Sequence, residues 1–132
     1  MGPREAALSA TALTLMLHHY EGLNLFLMLV MAHFVGDFGL QPDRMALEKC
    51  PHARGVLPWA WWMVAHAGIH GFLVAAVSGI PLLGLAEIVF HFCIDVGKCQ
   101  RLYSIGFDQM LHILCKLLWV VILVVMSTPT LN

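Results

Sequence analysis

Charged residues are scarce in this sequence. Asp, Glu, Lys and Arg make up 11% of the 132 residues, whereas hydrophobic residues make up 60%. Soluble domains usually contain about 25% charged residues, so an ordinary soluble fold is excluded. The formal net charge is -1, which leaves no basic surplus for binding nucleic acid. We therefore predict an integral membrane protein whose partners are membrane lipids and not nucleic acids.

Cysteine pairs with C-x-x-C spacing are absent from the sequence. The four residues are Cys50, Cys93, Cys99 and Cys115, and three of them lie in or beside apolar segments. Disulfides are rare in proteins that face a reducing cytoplasm. We therefore expect all four cysteines to be free and to pack as small buried hydrophobic residues.

Apolar segments account for most of the chain. They cover residues 23–40, 56–77, 82–98 and 107–126. Crossing a bilayer as a helix takes about 20 residues, so each segment is a candidate transmembrane helix. Pro42 ends the first segment, Pro58 fits the first turn of the second, and residues 78–81 form a turn before the third. We predict an all-α protein in which residues 23–126 form a four-helix transmembrane bundle and residues 127–132 a short tail.

A further apolar run, residues 6–17, lies near the N-terminus. It is too short to cross a bilayer comfortably, since crossing takes about 20 residues. The polar residues that follow it, 18–21, do not supply the small-residue cleavage site of a signal peptide. We therefore expect residues 1–22 to be an N-terminal extension with an additional short helix, interfacial or partly inserted in the membrane.

Each of the four long segments carries two ionisable side chains four residues apart. The pairs are His33 and Asp37, His66 and His70, His91 and Asp95, and Asp108 and His112. Residues at this spacing share one face of a helix, and the zinc motif HExxH uses the same spacing for its two histidines. Ionisable groups inside a membrane are costly and mark functional sites. We predict that the four pairs converge on one polar site.

The side chains in these pairs are suited to transition metals. They comprise five imidazoles and three carboxylates, a mixture that fits Zn, Mn or Fe better than Ca. Such a set could hold one divalent ion with an outer layer of supporting residues, or two ions, as in metal-binding four-helix bundles. The predicted ligands are His33, Asp37, His66, His70, His91 and Asp95. Asp108 and His112 are predicted to act as ligand or general base.

Three other charged residues have roles that the sequence leaves open. Lys98 could stabilise negative charge at the site, or its side chain could extend to the membrane interface, as we expect for Lys116. Glu87 lies one helical turn before His91 and could support that histidine or make a contact between helices.

Basic residues between the segments predict the orientation. Arg44, Lys49 and Arg54 lie between the first and second segments, and Lys98 and Arg101 lie near the connection between the third and fourth. The turn at residues 78–81 has no basic residue. The positive-inside rule therefore places the first and third connections in the cytoplasm, and the predicted site lies at or near that side of a multi-pass membrane protein.

Four short motifs together resemble one family. They are HFVGDFGLQ from His33, followed by Asp43, Met45 and Lys49, then HAGIHG from His66, HFxIDxxK from His91 and DQxxH from Asp108, in this order. They resemble the signatures of the small bacterial membrane proteins catalogued as domain of unknown function 3307. The resemblance covers residues 23–126 and implies a bacterial inner-membrane protein without implying an activity. The pattern is more distantly similar to membrane-bound metal-dependent hydrolases, which is an analogy of fold.

Three functions are compatible with these features. The leading hypothesis is a metal-dependent hydrolase acting on a lipid or another substrate at headgroup level. The first alternative is ion, proton or metal transport, although the outer halves of the first and fourth segments carry no ionisable residue. The second alternative is a structural membrane protein in which the pairs form hydrogen bonds between helices. A homo-oligomer is compatible with each of the three.

Overall fold

The protein is helical throughout its secondary structure. The computed structural model describes residues 2–127, and for several residues between positions 3 and 19 it describes the backbone alone. The helices are α1 (Pro3–Phe34), followed directly by a π-helical segment (Val35–Gly39), α2 (Asp43–Glu48), α3 (Trp59–Ser78), α4 (Pro81–Cys99) and α5 (Ile105–Ser127). No strand occurs within residues 2–127, so the all-α prediction is confirmed. Most of the tail expected at 127–132 lies outside the described residues.

The N-terminal residues do not form a separate short helix. Helix α1 runs without interruption for 32 residues, so the expected break near residue 22 is wrong. A single glycine costs a helix only about 1 kcal/mol, and no proline lies between Pro3 and Pro42, so Gly22 alone does not end the helix. A methyl group at Gly22 would lie 3.4 Å from the side chain of Val124 on α5. The membrane placement expected for residues 1–22 stays a prediction.

The π-helical segment carries the first acidic residue of the predicted site. The backbone N–H of Leu40 donates to the carbonyl of Val35 at 2.9 Å, which closes the wider π turn. A Cβ atom at Gly36 would collide with the imidazole of His70, so the missing side chain lets α1 approach α3. Such π turns are rare and occur frequently at functional sites. Here the turn ends α1 with Asp37 directed towards α3.

Helices α3 and α4 form the tightest pair. Gly79 has φ of 73° and ends α3 in the left-handed conformation that glycine adopts most easily, and Pro81 begins α4. A Cβ atom at Gly71 would come within 2.6 Å of the carbonyl oxygen of Gly84. The two backbones therefore touch, as small residues allow in membrane helix packing.

Apolar side chains face outward over most of the surface. Phe72, Leu82 and Met126 are 71%, 74% and 79% exposed, which is the reverse of a soluble protein. Three helical stretches are long and apolar enough to cross a membrane. They are Tyr20–Gly39, Trp59–Ser78 and Ile105–Ser127. These helices fit a membrane protein.

Inside the bundle, an apolar cluster closes the end away from α2. It comprises Leu29, Val74, Leu83, Trp119 and Val120. Three of these residues lie four positions from a buried ionisable one: Leu29 from His33, Val74 from His70 and Leu83 from Glu87. The interior is thus polar near α2 and the connection after α4, and apolar beyond.

Two cysteines form a disulfide, contrary to expectation. Cys50, just after α2, is bonded to Cys99 at the end of α4, with 5.3 Å between their Cα atoms. Cys93 is free and exposed, and Cys115 is free and half-buried. The expectation of four free, buried thiols failed because the fold brings residues 50 and 99 together, although they are far apart in sequence.

Candidate functional site

All eight side chains of the four pairs meet in the polar half of the bundle. Seven are at most 2% exposed, namely His33, His66, His70, His91, Asp95, Asp108 and His112. The side chain of Asp37 is 11% exposed and lies at the edge. The sequence predicted this convergence from the i, i+4 spacing, since each helix then presents both members of a pair on one face.

One group of side chains surrounds the Nε2 atom of His66. That atom lies 3.4 Å from Asp37 Oδ1, 3.3 Å from Asp95 Oδ2 and 3.1 Å from His91 Nε2. His70 Nε2 is 3.1 Å from the same oxygen of Asp37. Two atoms held about 2.1 Å from one tetrahedral ion lie about 3.4 Å apart. The observed separations are therefore those of atoms that could share an ion.

Three overlapping sets of residues could each hold a metal ion. They are Asp37, His66, His70 and His91; His33, His91 and His112; and Asp95, Asp108 and His112. Within each set the ligand atoms lie within 4.8 Å of one another. His91 and His112 each belong to two sets, so neighbouring ion positions would share ligands. This arrangement is compatible with one ion or two.

Several buried polar atoms of these residues have no hydrogen-bond partner among residues 2–127. They are His33 Nδ1, His66 Nδ1, Asp108 Oδ1 and both ring nitrogens of His112. Buried polar atoms without a partner are rare and costly, and each requires an explanation. His112 Nε2 lies 3.7 Å from Asp95 Oδ1 and from Asp108 Oδ1, too far for a hydrogen bond. A cation between these atoms would satisfy all three.

Two residues outside the pairs orient the candidate ligands. The side-chain oxygen of Gln109 lies 3.1 Å from His33 Nε2, and its amide nitrogen donates to Asp37 Oδ2 at 2.7 Å. Glu87 Oε1 lies 3.3 Å from His91 Nδ1, which leaves His91 Nε2 facing the site. Histidine ligands commonly have such a carboxylate behind them. Glu87 thus supports His91, one of the two roles considered from the sequence.

Lys116 does not extend to the membrane interface, so that prediction is wrong. The residue is 1% exposed and its ammonium group donates to Glu87 Oε1. The indole nitrogen of Trp119 donates to the other carboxylate oxygen at 2.6 Å. The pair forms because Glu87 on α4 faces α5. A buried carboxylate without a cation is strongly destabilising, so Lys116 pairs with Glu87 and does not extend to the interface.

Lys49 is a site residue that sequence reasoning missed. It follows α2 in the polar connection between the first and second segments, and it was not assigned to the site from the sequence. However, Lys49 is 2% exposed and its Nζ lies 2.5 Å from Asp95 Oδ2. Burial lowers the pKa of Lys49, and the charge of Asp95 opposes that shift. No local signal identifies this role, since it depends on how α2 folds back over α4.

A cavity of about 340 Å³ opens beside the cluster. The polar residues along it include Asp37, Gln41, Lys49, Lys98 and Gln109, and exposed Phe38 and Ile105 lie at its rim. The Nζ of Lys98 is 3.9 Å from Asp95 and 3.8 Å from Asp108. Small molecules could therefore reach the buried cluster from this side, next to a lysine ammonium group.

Comparison with known proteins identifies the family. Residues 25–132 match the model of the family described as protein of unknown function (DUF3307), and the chain belongs to this family. The resemblance found in the sequence is confirmed. No curated protein and no solved structure matches the chain. The distant likeness to membrane-bound metal-dependent hydrolases stays a prediction.

Proposed function

We propose that this member of the DUF3307 family is a metal-dependent membrane hydrolase with its site inside a four-helix transmembrane bundle. The observation that carries the proposal is the cluster of eight His and Asp side chains, seven of them buried, whose ligand atoms lie within 4.8 Å of one another in three overlapping sets. Neutral hydrogen bonding between helices would not require so many imidazoles in one place or leave four buried ring nitrogens and one carboxylate oxygen without partners.

The fourth crossing of the proposed bundle is α4. Its 19 residues extend about 28 Å at 1.5 Å per residue, close to the thickness of a bilayer core of about 30 Å. Its outward residues Leu82, Leu85 and Val89 are at least 60% exposed. Two of its charged residues, Glu87 and Asp95, are buried in the bundle. The lipid-facing side of α4 is therefore as apolar as a crossing requires.

One or two divalent ions of Zn, Mn or Fe would be held by His33, Asp37, His66, His70, His91 and Asp95. A bound ion supplies a water with a pKa near 7 and polarises the group to be cleaved. Asp108 or His112 would accept the proton of the attacking water, because Asp108 Oδ1 and both ring nitrogens of His112 are buried and without a hydrogen-bond partner. Lys98, at the cavity, would stabilise negative charge as it develops on the substrate.

The substrate would enter at headgroup level through the cavity beside Lys98. Phe38 and Ile105 at its rim are 71% and 67% exposed, so an acyl chain could contact them while a polar group enters. A lipid is therefore the favoured substrate class. Arg44, Arg54 and Arg101 are exposed at this end of the bundle, which supports its placement on the cytoplasmic side of the inner membrane.

Transport across the membrane is less compatible with the interior. The polar cluster ends at the apolar layer that contains Leu29, Val74 and Leu83, each of which is at most 8% exposed. Ion pathways require polar groups or water along their full length. The layer would have to open for any ion to pass.

Elemental analysis of the detergent-purified protein tests the proposal. We expect one or two transition-metal ions per chain, lost in the double variant His66→Ala, His91→Ala. His52→Ala is the matched control, since His52 is exposed in the connection before α3. The wild-type protein would be produced in cells grown with added Zn, Mn and Fe. If it is helical and monodisperse but contains no metal, the metal site is refuted.

Hydrolysis requires its own assay. The metal-loaded protein would be incubated with mixed micelles of bacterial phospholipids, and released fatty acids and headgroups followed by mass spectrometry. We expect Asp108→Asn to lower the rate about 100-fold while the metal is retained, as for loss of a general base. Metal binding without turnover of any lipid ester or phosphoester would refute the hydrolase and leave a metal-binding membrane protein.

A further inference from the structure

The disulfide lies next to the metal-ligand cluster. Cys50 directly follows Lys49, and Cys99 directly follows Lys98. Lys49 Nζ is 2.5 Å from Asp95 Oδ2, the same oxygen that lies 3.3 Å from His66 Nε2. The bond between Cys50 and Cys99 thus links the connection that contains Lys49 to the end of α4, the helix that contains Asp95.

We propose that Cys50 and Cys99 form a reversible thiol–disulfide switch that controls whether the Asp95 carboxylate binds the ammonium group of Lys49 or a metal ion. In the oxidised protein the disulfide holds Lys49 against the carboxylate. In the reduced protein the connection after α2 can move away and release Asp95 to the metal. This inference rests on the proposed function for the metal, whereas the movement of Lys49 does not depend on it.

Competition for one oxygen is the physical basis of the switch. A buried ammonium group and a divalent cation cannot both occupy Oδ2 of Asp95, because like charges at such distances repel strongly in a medium of low dielectric constant. The remaining attachments of the connection are weaker than a covalent bond. They include the buried side chain of Met45 and the hydrogen bond from Trp62 Nε1 to Glu48 Oε2 at 3.0 Å.

The position of the cysteines permits exchange. Both are half-buried, so a reductant can reach the sulfur atoms. In the proposed orientation this end of the bundle lies in the cytoplasm, where protein disulfides are usually transient and redox-sensing. These two features favour a disulfide that is made and broken over a purely structural one.

The exchange partner would be a protein dithiol. One of its thiolates attacks a sulfur of the Cys50–Cys99 bond, which breaks as a mixed disulfide forms. The second thiol of the partner then displaces the remaining cysteine. The partner leaves with a disulfide, and two electrons and two protons have passed to Cys50 and Cys99, which are now thiols.

Metal affinity of the two forms tests the switch. The oxidised and the reduced protein, the latter freed of reductant under argon, would be titrated with Zn²⁺ and Mn²⁺ by calorimetry. We expect the reduced form to bind about tenfold more tightly, within the range usual for coupled sites. By linkage, saturating metal should make the disulfide easier to reduce by the same factor, which is about 30 mV for two electrons.

Variants separate the switch from general effects of reduction. Cys50→Ser, Cys99→Ser should bind metal like the reduced protein under all conditions. Cys93→Ser, Cys115→Ser keeps the disulfide and should respond like wild type. Lys49→Met should bind metal tightly in both redox forms, since no ammonium group competes. Redox dependence that persists in Lys49→Met would overturn the role of this lysine.

Acetylation of Lys49 by an amine-reactive reagent, read by mass spectrometry, gives a result without metal. We expect Lys49 to be protected in the oxidised protein and to react at least about tenfold faster after reduction, because the buried pair then opens. Equal reactivity in both forms would overturn the switch. Equal metal affinity of the oxidised and the reduced protein would also overturn the switch, although the metal site itself would then be supported. Differential acetylation in a protein that binds no metal would refute the metal site and leave the movement of Lys49 established.

Discussion

The ion pair between Glu87 and Lys116 lies beneath the candidate metal site, and replacing Lys116 measures what it contributes. Both residues are at most 1% exposed, and the ammonium group of Lys116 donates to Glu87 Oε1. Lys116→Met keeps an unbranched chain of similar length and removes the charge. Glu87 then remains a buried carboxylate with only neutral neighbours, Trp119 at 2.6 Å and His91 at 3.3 Å.

The expected magnitude follows from what is left behind. Removing one partner of a buried ion pair typically costs about 3–5 kcal/mol. Because Trp119 and His91 still offer hydrogen bonds to Glu87, we expect Lys116→Met to lie near the lower end, about 3 kcal/mol. The double variant Glu87→Gln, Lys116→Met removes both charges and leaves an amide oxygen for Trp119. It should therefore lie within about 1 kcal/mol of wild type and be more stable than Lys116→Met.

Reversible unfolding in mixed micelles of increasing SDS fraction, followed by circular dichroism, would give these free energies. Leu117→Met is the matched control, because Leu117 is the next residue of α5 and is 45% exposed. We expect it to change the free energy of unfolding by less than about 0.5 kcal/mol. If Lys116→Met were as stable as this control, or if the double variant were less stable than Lys116→Met, the reasoning about the buried charge would be refuted.

Two further predictions concern covalent and backbone contacts. The double variant Cys50→Ser, Cys99→Ser should lower the free energy of unfolding by about 4 kcal/mol, which is the loop-closure value for a sequence separation of 49 residues. An SDS unfolding midpoint equal to that of the oxidised wild type would contradict this prediction. Gly71→Ala should lower the free energy of unfolding by about 1–3 kcal/mol, because the new methyl group would collide with Ile88 and the carbonyl of Gly84. Gly68→Ala should be neutral or slightly stabilising, because Gly68 has open space around it. Equal SDS unfolding midpoints for the two variants would refute the close approach of α3 and α4 at Gly71.

The helices themselves were largely predictable from local features. Apolar length and proline positions predicted α3, α4 and α5 to within three residues at each end. The predicted start of the first helix was wrong because the polar residues near 18–22 suggested a boundary, although none of them ends a helix. Helix α2 was missed because six residues between two prolines carry too little periodicity to be recognised.

The composition of the candidate site was predictable for a related reason. Ionisable side chains four apart in an apolar helix must share a face, and a low-dielectric surrounding makes it costly to leave them apart from one another. This is why His33, His66, His91 and Asp108, each with its partner, could be assigned to one site before any contact was known. Their role as metal ligands stays a prediction.

The partners of single charged residues were decided by the tertiary structure alone. Lys49 meets Asp95 across 46 positions and Lys116 meets Glu87 across 29, and neither contact leaves a periodic signal in the sequence. The disulfide between Cys50 and Cys99 depends in the same way on where the connection after α2 folds. Spacing along a helix is a local property and can be read from the residues, whereas these contacts arise from how whole helices and their connections pack.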